Sequence, residues 1–250
     1  MTAFVSPSGH VMAFLDASAG RTYQTMFQQT NGTSAVRLGE GAPDAVSDDE
    51  RWVLSIVPSI PPRVMLYPTG PGQARTLDIP ELEAFTNARF FPDGNQLLVC
   101  GNERGKQSRC YARALESGPL RPMTPEGTRI GLAISPDGRT VLAQTSAGYG
   151  LYAVSGGAPV PVAGIADKER VVRFSPDGKS LWIERTAGLT LTIESLELTN
   201  GRRRAMLTVS PENRAGVVDV RRISLADDPR VYAYDMRKAI SRIFTVTGMK

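Results

Sequence analysis

The chain has 250 residues, 41% of them hydrophobic, enough for one sizeable buried core, and its 24 glycines and 18 prolines suit many short strands better than helices. A net charge of +4, from 29 basic and 25 acidic residues, aids solubility and does not imply a nucleic-acid partner. Two cysteines exclude a disulfide framework or a zinc ribbon, and no run approaches the roughly 20 apolar residues of a membrane span, so no membrane insertion is expected.

The N-terminus, Met1 to Ser6, lacks a charged region ahead of an apolar one, so no signal peptide is expected. The chain as it stands reads as cytoplasmic, and as periplasmic if it is a piece of a membrane-anchored protein. A channel strand at residues 2–5 runs into the turn Ser6-Pro7-Ser8-Gly9. Related turns follow at Ser47-Asp48-Asp49-Glu50, Phe91-Pro92-Asp93-Gly94, Ser135-Pro136-Asp137-Gly138, Ser175-Pro176-Asp177-Gly178 and Ala226-Asp227-Asp228-Pro229. An apolar strand comes after each of the clearest copies: Leu97 to Val99, Val141 with Leu142, and Leu181 to Ile183. The turns start 41, 44, 44, 40 and 51 residues apart. A period of roughly 40–50 residues filled with strands and turns is the signature of a β-propeller, one blade per repeat.

The expected fold is therefore all-β: one domain, 1–250, of six four-stranded antiparallel blades at about 1–42, 43–84, 85–127, 128–167, 168–212 and 213–250. In the fourth blade the strands are expected near Ile130–Ile134, Thr140–Gln144, Tyr149–Val154 and Val160–Ala163. The last blade reaches Val231–Met236 and Ile240–Val246 and lacks an outer strand, so the ring is either closed by a three-stranded blade or an open arc of a larger propeller.

In each turn proline presets φ, aspartate hydrogen-bonds nearby amides and glycine takes the left-handed conformation that returns the chain as a strand. Asp93, Gly94, Asp137, Gly138, Asp177 and Gly178 are accordingly read as structural turn residues. The aspartates are poor metal ligands, because equivalent turns are held apart around the ring. Cys100 and Cys110 are expected on adjacent strands of the third blade, two small core residues in a reducing compartment or a disulfide after export.

The catalytic inventory is empty. His10, the single histidine, sits in a turn, and no Gly-x-Ser-x-Gly elbow, metal cluster, Walker loop or dinucleotide fingerprint is present. No catalytic residue, metal or cofactor is expected. Arg202-Arg203-Arg204 follows the hairpin signal Asn200-Gly201 and reads as a solvated outer loop. Arg89 and Arg173 share a register two residues before their turns, where the other repeats carry Phe4, Ala45, Ala133 and Ser224. On channel strands they either line a small anion site or form salt bridges between blades. The loops joining second to third strands vary most, and by propeller geometry they share a face with the inter-blade connections. That face, with Arg104 and Lys106 steering by charge, is the expected binding surface.

The aromatic-Ser-Pro-Asp-Gly repeat, best seen at Arg173-Phe174-Ser175-Pro176-Asp177-Gly178, resembles the TolB-like, WD-type propellers of bacteria over nearly the whole chain. More narrowly, Arg121 to Gly127 and the closing Thr245 to Lys250 are similar to the C-terminal propeller of bacterial eukaryote-like serine/threonine kinases. No kinase motif is present, so no kinase activity carries over. The resemblance implies a sensing or protein-binding module. The functional expectation is a noncatalytic, monomeric scaffold for an unidentified protein, peptide or small ligand in a signalling or envelope system. The alternative is a propeller enzyme: a channel lyase or lactonase, or a domain gating a peptidase.

Overall fold

The computed structural model describes residues 3–17 and 22–239, which contain no helix. Five antiparallel sheets of four strands follow one another in the chain. The first holds β1 (Ala3–Val5), β2 (Val11–Asp16), β3 (Gln24–Gln29) and β4 (Val36–Glu40). The second holds β5 (Ala42–Val46), β6 (Trp52–Val57), β7 (Arg63–Pro68) and β8 (Arg75–Leu77). The third holds β9 (Leu82–Phe90), β10 (Gln96–Glu103), β11 (Arg109–Ala114) and β12 (Arg121–Pro122). The fourth holds β13 (Ile130–Ile134), β14 (Thr140–Thr145), β15 (Gly148–Ala153) and β16 (Val160–Val162). The fifth holds β17 (Glu169–Phe174), β18 (Ser180–Ala187), β19 (Thr190–Glu197) and β20 (Arg203–Val209). A two-stranded piece, β21 (Val217–Leu225) with β22 (Tyr232–Lys238), comes last.

The expectation of six blades, the last without its outer strand, is thereby corrected: among the described residues the propeller has five four-stranded blades and a two-stranded piece. The physical reason is that each turn motif reports only the hairpin between a first and a second strand. At Ala226 to Val231 that hairpin forms, with the Ala226 amide donating to the Val231 carbonyl at 3.0 Å. A hairpin signal says nothing about outer strands. The strand expected at Ile240–Val246 lies outside the described residues.

The first and last sheets nevertheless meet. β1, β5, β9, β13, β17 and β21 touch in succession around the channel, and β21 returns to β1. Across this junction the Val5 amide donates to Ser224 Oγ at 3.0 Å and the Asp227 amide donates to the Pro7 carbonyl at 2.7 Å.

The core is a ring of layers between neighbouring sheets rather than one central mass. Leu54 and Leu66 pack with Leu97 and Val99 between the second and third blades, and Leu142 packs with Val171 and Leu181 between the fourth and fifth. A blade covered on both faces buries consecutive residues, which is why Leu97, Leu98, Val99 and Cys100 of β10 are all fully buried. The rim strands β8, β12 and β16 are only 3, 2 and 3 residues long. β12 and β16 carry Pro122 and Pro161, residues that blunt a sheet edge because proline has no amide to offer.

Candidate functional site

The turns after the channel strands gather at one mouth of the ring. In the fourth, Asp137 accepts from Ser135 Oγ at 2.6 Å and from the Arg139 amide at 3.0 Å; in the fifth, Asp177 accepts from Ser175 Oγ at 2.6 Å and the Lys179 amide at 3.1 Å. The serine hydroxyl first, then the amide, holds each carboxyl below the usual carboxylate range. Asp93 caps the Asn95 amide at 3.0 Å. Gly94, Gly138 and Gly178 have φ of 69°, 69° and 71°, and in the second blade Glu50 takes the same conformation at 60°. Pro7, Pro92, Pro136 and Pro176 rim a bowl of about 160 Å³ at this mouth. Asp48 reaches water here, yet crowding raises its carboxyl above the usual range; Arg173 opposes that shift and Asp227 adds to it.

Of the residues two positions before each turn, Arg89 and Arg173 line the bowl, and Arg89 also lines the larger cavity next to it. Arg89 on β9 pairs with Asp44 on β5 at 2.9 Å and lies 5.3 Å from the ring of Phe4 on β1. Arg173 on β17 pairs with Asp227 at 2.5 Å, donates to the Leu225 carbonyl at 3.0 Å and lies 5.6 Å from the Trp182 ring. Both arginines therefore tie neighbouring sheets together, and both also line the bowl.

The larger cavity, a vestibule of about 550 Å³, shares Arg89 with the bowl and is lined from the inner strands of all five blades and of the two-stranded piece. It lies at the end where second-to-third-strand loops approach, represented by Tyr23 and Pro58. The inner strands are bulged here. The register slips past Asp44, Thr86, Leu132, Val172 and Arg222, and all five of these residues line the vestibule. A bulge inserts one residue without a partner and re-aims its side chain. Asp44 uses that freedom to accept the Ala88 amide of the next blade at 2.5 Å as well as to pair with Arg89. Arg222 has φ 44°, an uncommon conformation for a residue with a side chain. On β17, Arg170 directs Nε at 3.1 Å and Nη2 onto the Glu184 carboxylate, and Nη2 also donates to the Ile223 carbonyl at 2.8 Å. Glu184 is buried and accepts the Ile223 amide at 3.0 Å.

Sequence reasoning missed Asp44, Arg170 and Arg222. Asp44, Leu132 and Val172 each stand three residues before a turn start, but no local signal marks a bulge, which depends on the pairing of two strands. Arg104 and Lys106 lie on the β10–β11 loop outside the vestibule lining. Arg104 is almost fully exposed with Glu83 at 3.5 Å, whereas Lys106 is bound to Glu103 at 2.5 Å. Glu103, which also accepts from Tyr111 Oη at 2.7 Å, is held below the usual range by the Lys106 contact first.

Cys100 and Cys110 are directly opposite on β10 and β11, fully buried and joined as a disulfide, with Cα atoms 4.0 Å apart. The separation is below the roughly 7 Å beyond which no bridge forms. Gly131 of the fourth blade packs against both sulfurs, and Asn87 brackets it, donating to its carbonyl at 2.6 Å and accepting its amide at 3.3 Å. The outer-loop reading of the arginine run is corrected at Arg203, which begins β20 and pairs with Glu169 at 2.6 Å and Glu194 at 2.9 Å. His10 is an exposed turn residue whose amide donates to Ser8 Oγ at 3.1 Å. Among the described residues no three His, Cys, Asp or Glu side chains gather to hold a metal ion.

No protein-family model and no curated protein matches this chain. Solved structures do match in fold. TolB from Acinetobacter baumannii superposes with a TM-score of 0.67 at 18% identity over 85% of this chain, which spans only 54% of that protein. An oligogalacturonate lyase in complex with manganese gives 0.62 at 14% identity, covering 91% of this chain and 68% of that one. A chain of a nidogen/laminin complex gives 0.62 at 13% identity, covering 84% and 80%. At these identities the likeness is one of fold, a TolB-like β-propeller.

Proposed function

We propose that this chain is a noncatalytic propeller that binds a protein or peptide through the vestibule, as the recognition module of a sensing or envelope system. One observation carries the reading: a cavity of about 550 Å³, within the usual 300–1,000 Å³ of ligand sites, is walled by half-buried apolar side chains with a few charged groups among them. The nidogen/laminin complex among the similar folds is consistent with a propeller that meets proteins. The resemblance to kinase-associated propellers points the same way, toward an appendage that reads a signal. The buried Cys100–Cys110 disulfide supports work in an oxidising compartment such as the bacterial periplasm.

The lyase among the similar folds favours a second reading, an enzyme acting in the channel. The discriminating experiment is metal analysis of the purified protein, with assays on lactone, peptide and oligogalacturonate substrates. Binding without turnover and without stoichiometric metal is the expected result. Bound metal together with turnover of any of these substrates overturns the proposal.

A further inference from the structure

We propose that the vestibule receives a peptide carboxylate, seated at Arg170 and Arg222, with an adjacent apolar side chain of the peptide against the channel wall. This rests on the binding reading above and names its ligand class. The charged side chains of the lining are Arg89, Arg170 and Arg222 with Asp44, which is committed to Arg89 and the Ala88 amide; Asp235, outside the lining, stands near enough to Arg170 and Arg222 to feel both charges. Arg170 is held ready. Its Nε and Nη2 edge is fixed by Glu184 and the Ile223 carbonyl, and its two Nη1 hydrogens find no acceptor among the described residues. An anchored guanidinium with a free edge matches the planar, two-oxygen geometry of a carboxylate, and anchoring removes part of the ordering cost of binding.

Arg222 is the second observation. It is the residue next to Ile223, so the same part of the wall presents both arginines. It sits on the β21 bulge at φ 44°, a conformation that costs on the order of 1–3 kcal/mol and that proteins keep mainly at ligand sites. The apolar wall separates a peptide from an anionic saccharide. Phe4, Ile130, Leu132 and Val172 are partly exposed to the vestibule and offer no partners for sugar hydroxyls, whereas they suit an aliphatic or aromatic side chain.

The test uses the full chain, a displayed library of random heptapeptides, and digalacturonate. Selected peptides are remade with each Glu or Asp as the amide and with the C-terminus free or amidated, which tells a side-chain carboxylate from a terminal one. Their affinities are then measured by fluorescence anisotropy. Removing the required carboxylate is expected to weaken binding about tenfold or more, the scale of hydrogen bonds to a charged group. Arg222→Gln is expected to cause a similar loss and to abolish the preference between acid and amide. Arg170→Gln is made together with Glu184→Gln, so that no buried carboxylate is stranded, and is expected to behave likewise. Peptides that bind equally as acids and amides, or equally to wild type and Arg222→Gln, overturn this inference and leave the binding reading standing. Binding of digalacturonate alone overturns the peptide assignment. Failure to enrich any peptide or to bind digalacturonate overturns both.

Discussion

Replacing Gly131 by alanine tests whether the third and fourth blades are locked through the disulfide. Gly131 is not in the left-handed region, so alanine meets no backbone objection there. The obstacle is space. The new Cβ lies 2.8 Å from Cys100 Sγ, 2.8 Å from Leu98 Cδ2 and 3.0 Å from Cys110 Sγ, all short of the 3.4 Å at which ordinary contact begins. The leucine methyl can rotate away, but two sulfurs bonded to each other between paired strands cannot. β13 must therefore retreat, which lengthens the Asn87 bonds of 2.6 and 3.3 Å that bracket Gly131. Overpacking of a tight core costs about 1–3 kcal/mol, and a weakened buried hydrogen bond adds about 0.5–1.5 kcal/mol. The expected loss is about 2–4 kcal/mol, or a fall in Tm of about 4–16 °C for a chain of this size. Urea unfolding under non-oxidised-versus-oxidised control, followed by the fluorescence of the buried Trp182, measures it. In a Cys100→Ala, Cys110→Ala background the same substitution should cost at least about 1 kcal/mol less, because contacting residues couple. A loss below about 0.5 kcal/mol, or an equal loss in both backgrounds, refutes the lock.

Glu184→Ala strands the Ile223 amide and unpairs Arg170, which is itself partly solvated, so about 2–4 kcal/mol of stability should be lost in the same assay. A loss under about 1 kcal/mol would show that the fifth blade does not depend on this carboxylate to hold the two-stranded piece. Asp48→Asn should stabilise the fold slightly at neutral pH, by less than about 1 kcal/mol because the group reaches water, with a correspondingly small rise in Tm. Its carboxyl is raised in the folded state, so the wild type is penalised above that pKa and the penalty fades as pH falls through it. Melting curves of both proteins should converge in acid; divergence there contradicts the assignment. With a partner in hand, Arg104→Ala with Lys106→Ala should slow association and flatten its salt dependence. Stopped-flow rates unchanged by the pair, with binding abolished by changes at the bowl, would place recognition at the opposite mouth.

Local features could be read directly along the chain. Proline, aspartate and glycine at fixed offsets specify a turn through their own torsions and hydrogen bonds, and the strand after each turn follows from its apolar run. Ile130–Ile134 accordingly appears as a strand with the expected bounds. The pairing of Cys100 with Cys110 was legible for the same reason, since a short loop sets the register of the two strands it joins. Features that need two distant segments at once emerged from the folded ring instead. Whether a hairpin gains outer strands depends on what lies beside it, so the repeat count at Ala226 overstated the last sheet. A bulge exists only relative to a partner strand, so no local feature of Asp44 or Arg222 announces that it turns into the channel. Arg89, Arg170 and Arg173 each reach a partner outside their own blade, 45–54 residues away in sequence, and closure of the ring brings Ser224 to Val5 across 219 residues. Turn chemistry is short-ranged and therefore readable along the chain; the vestibule is a property of the closed ring, because its wall takes one strand from every sheet.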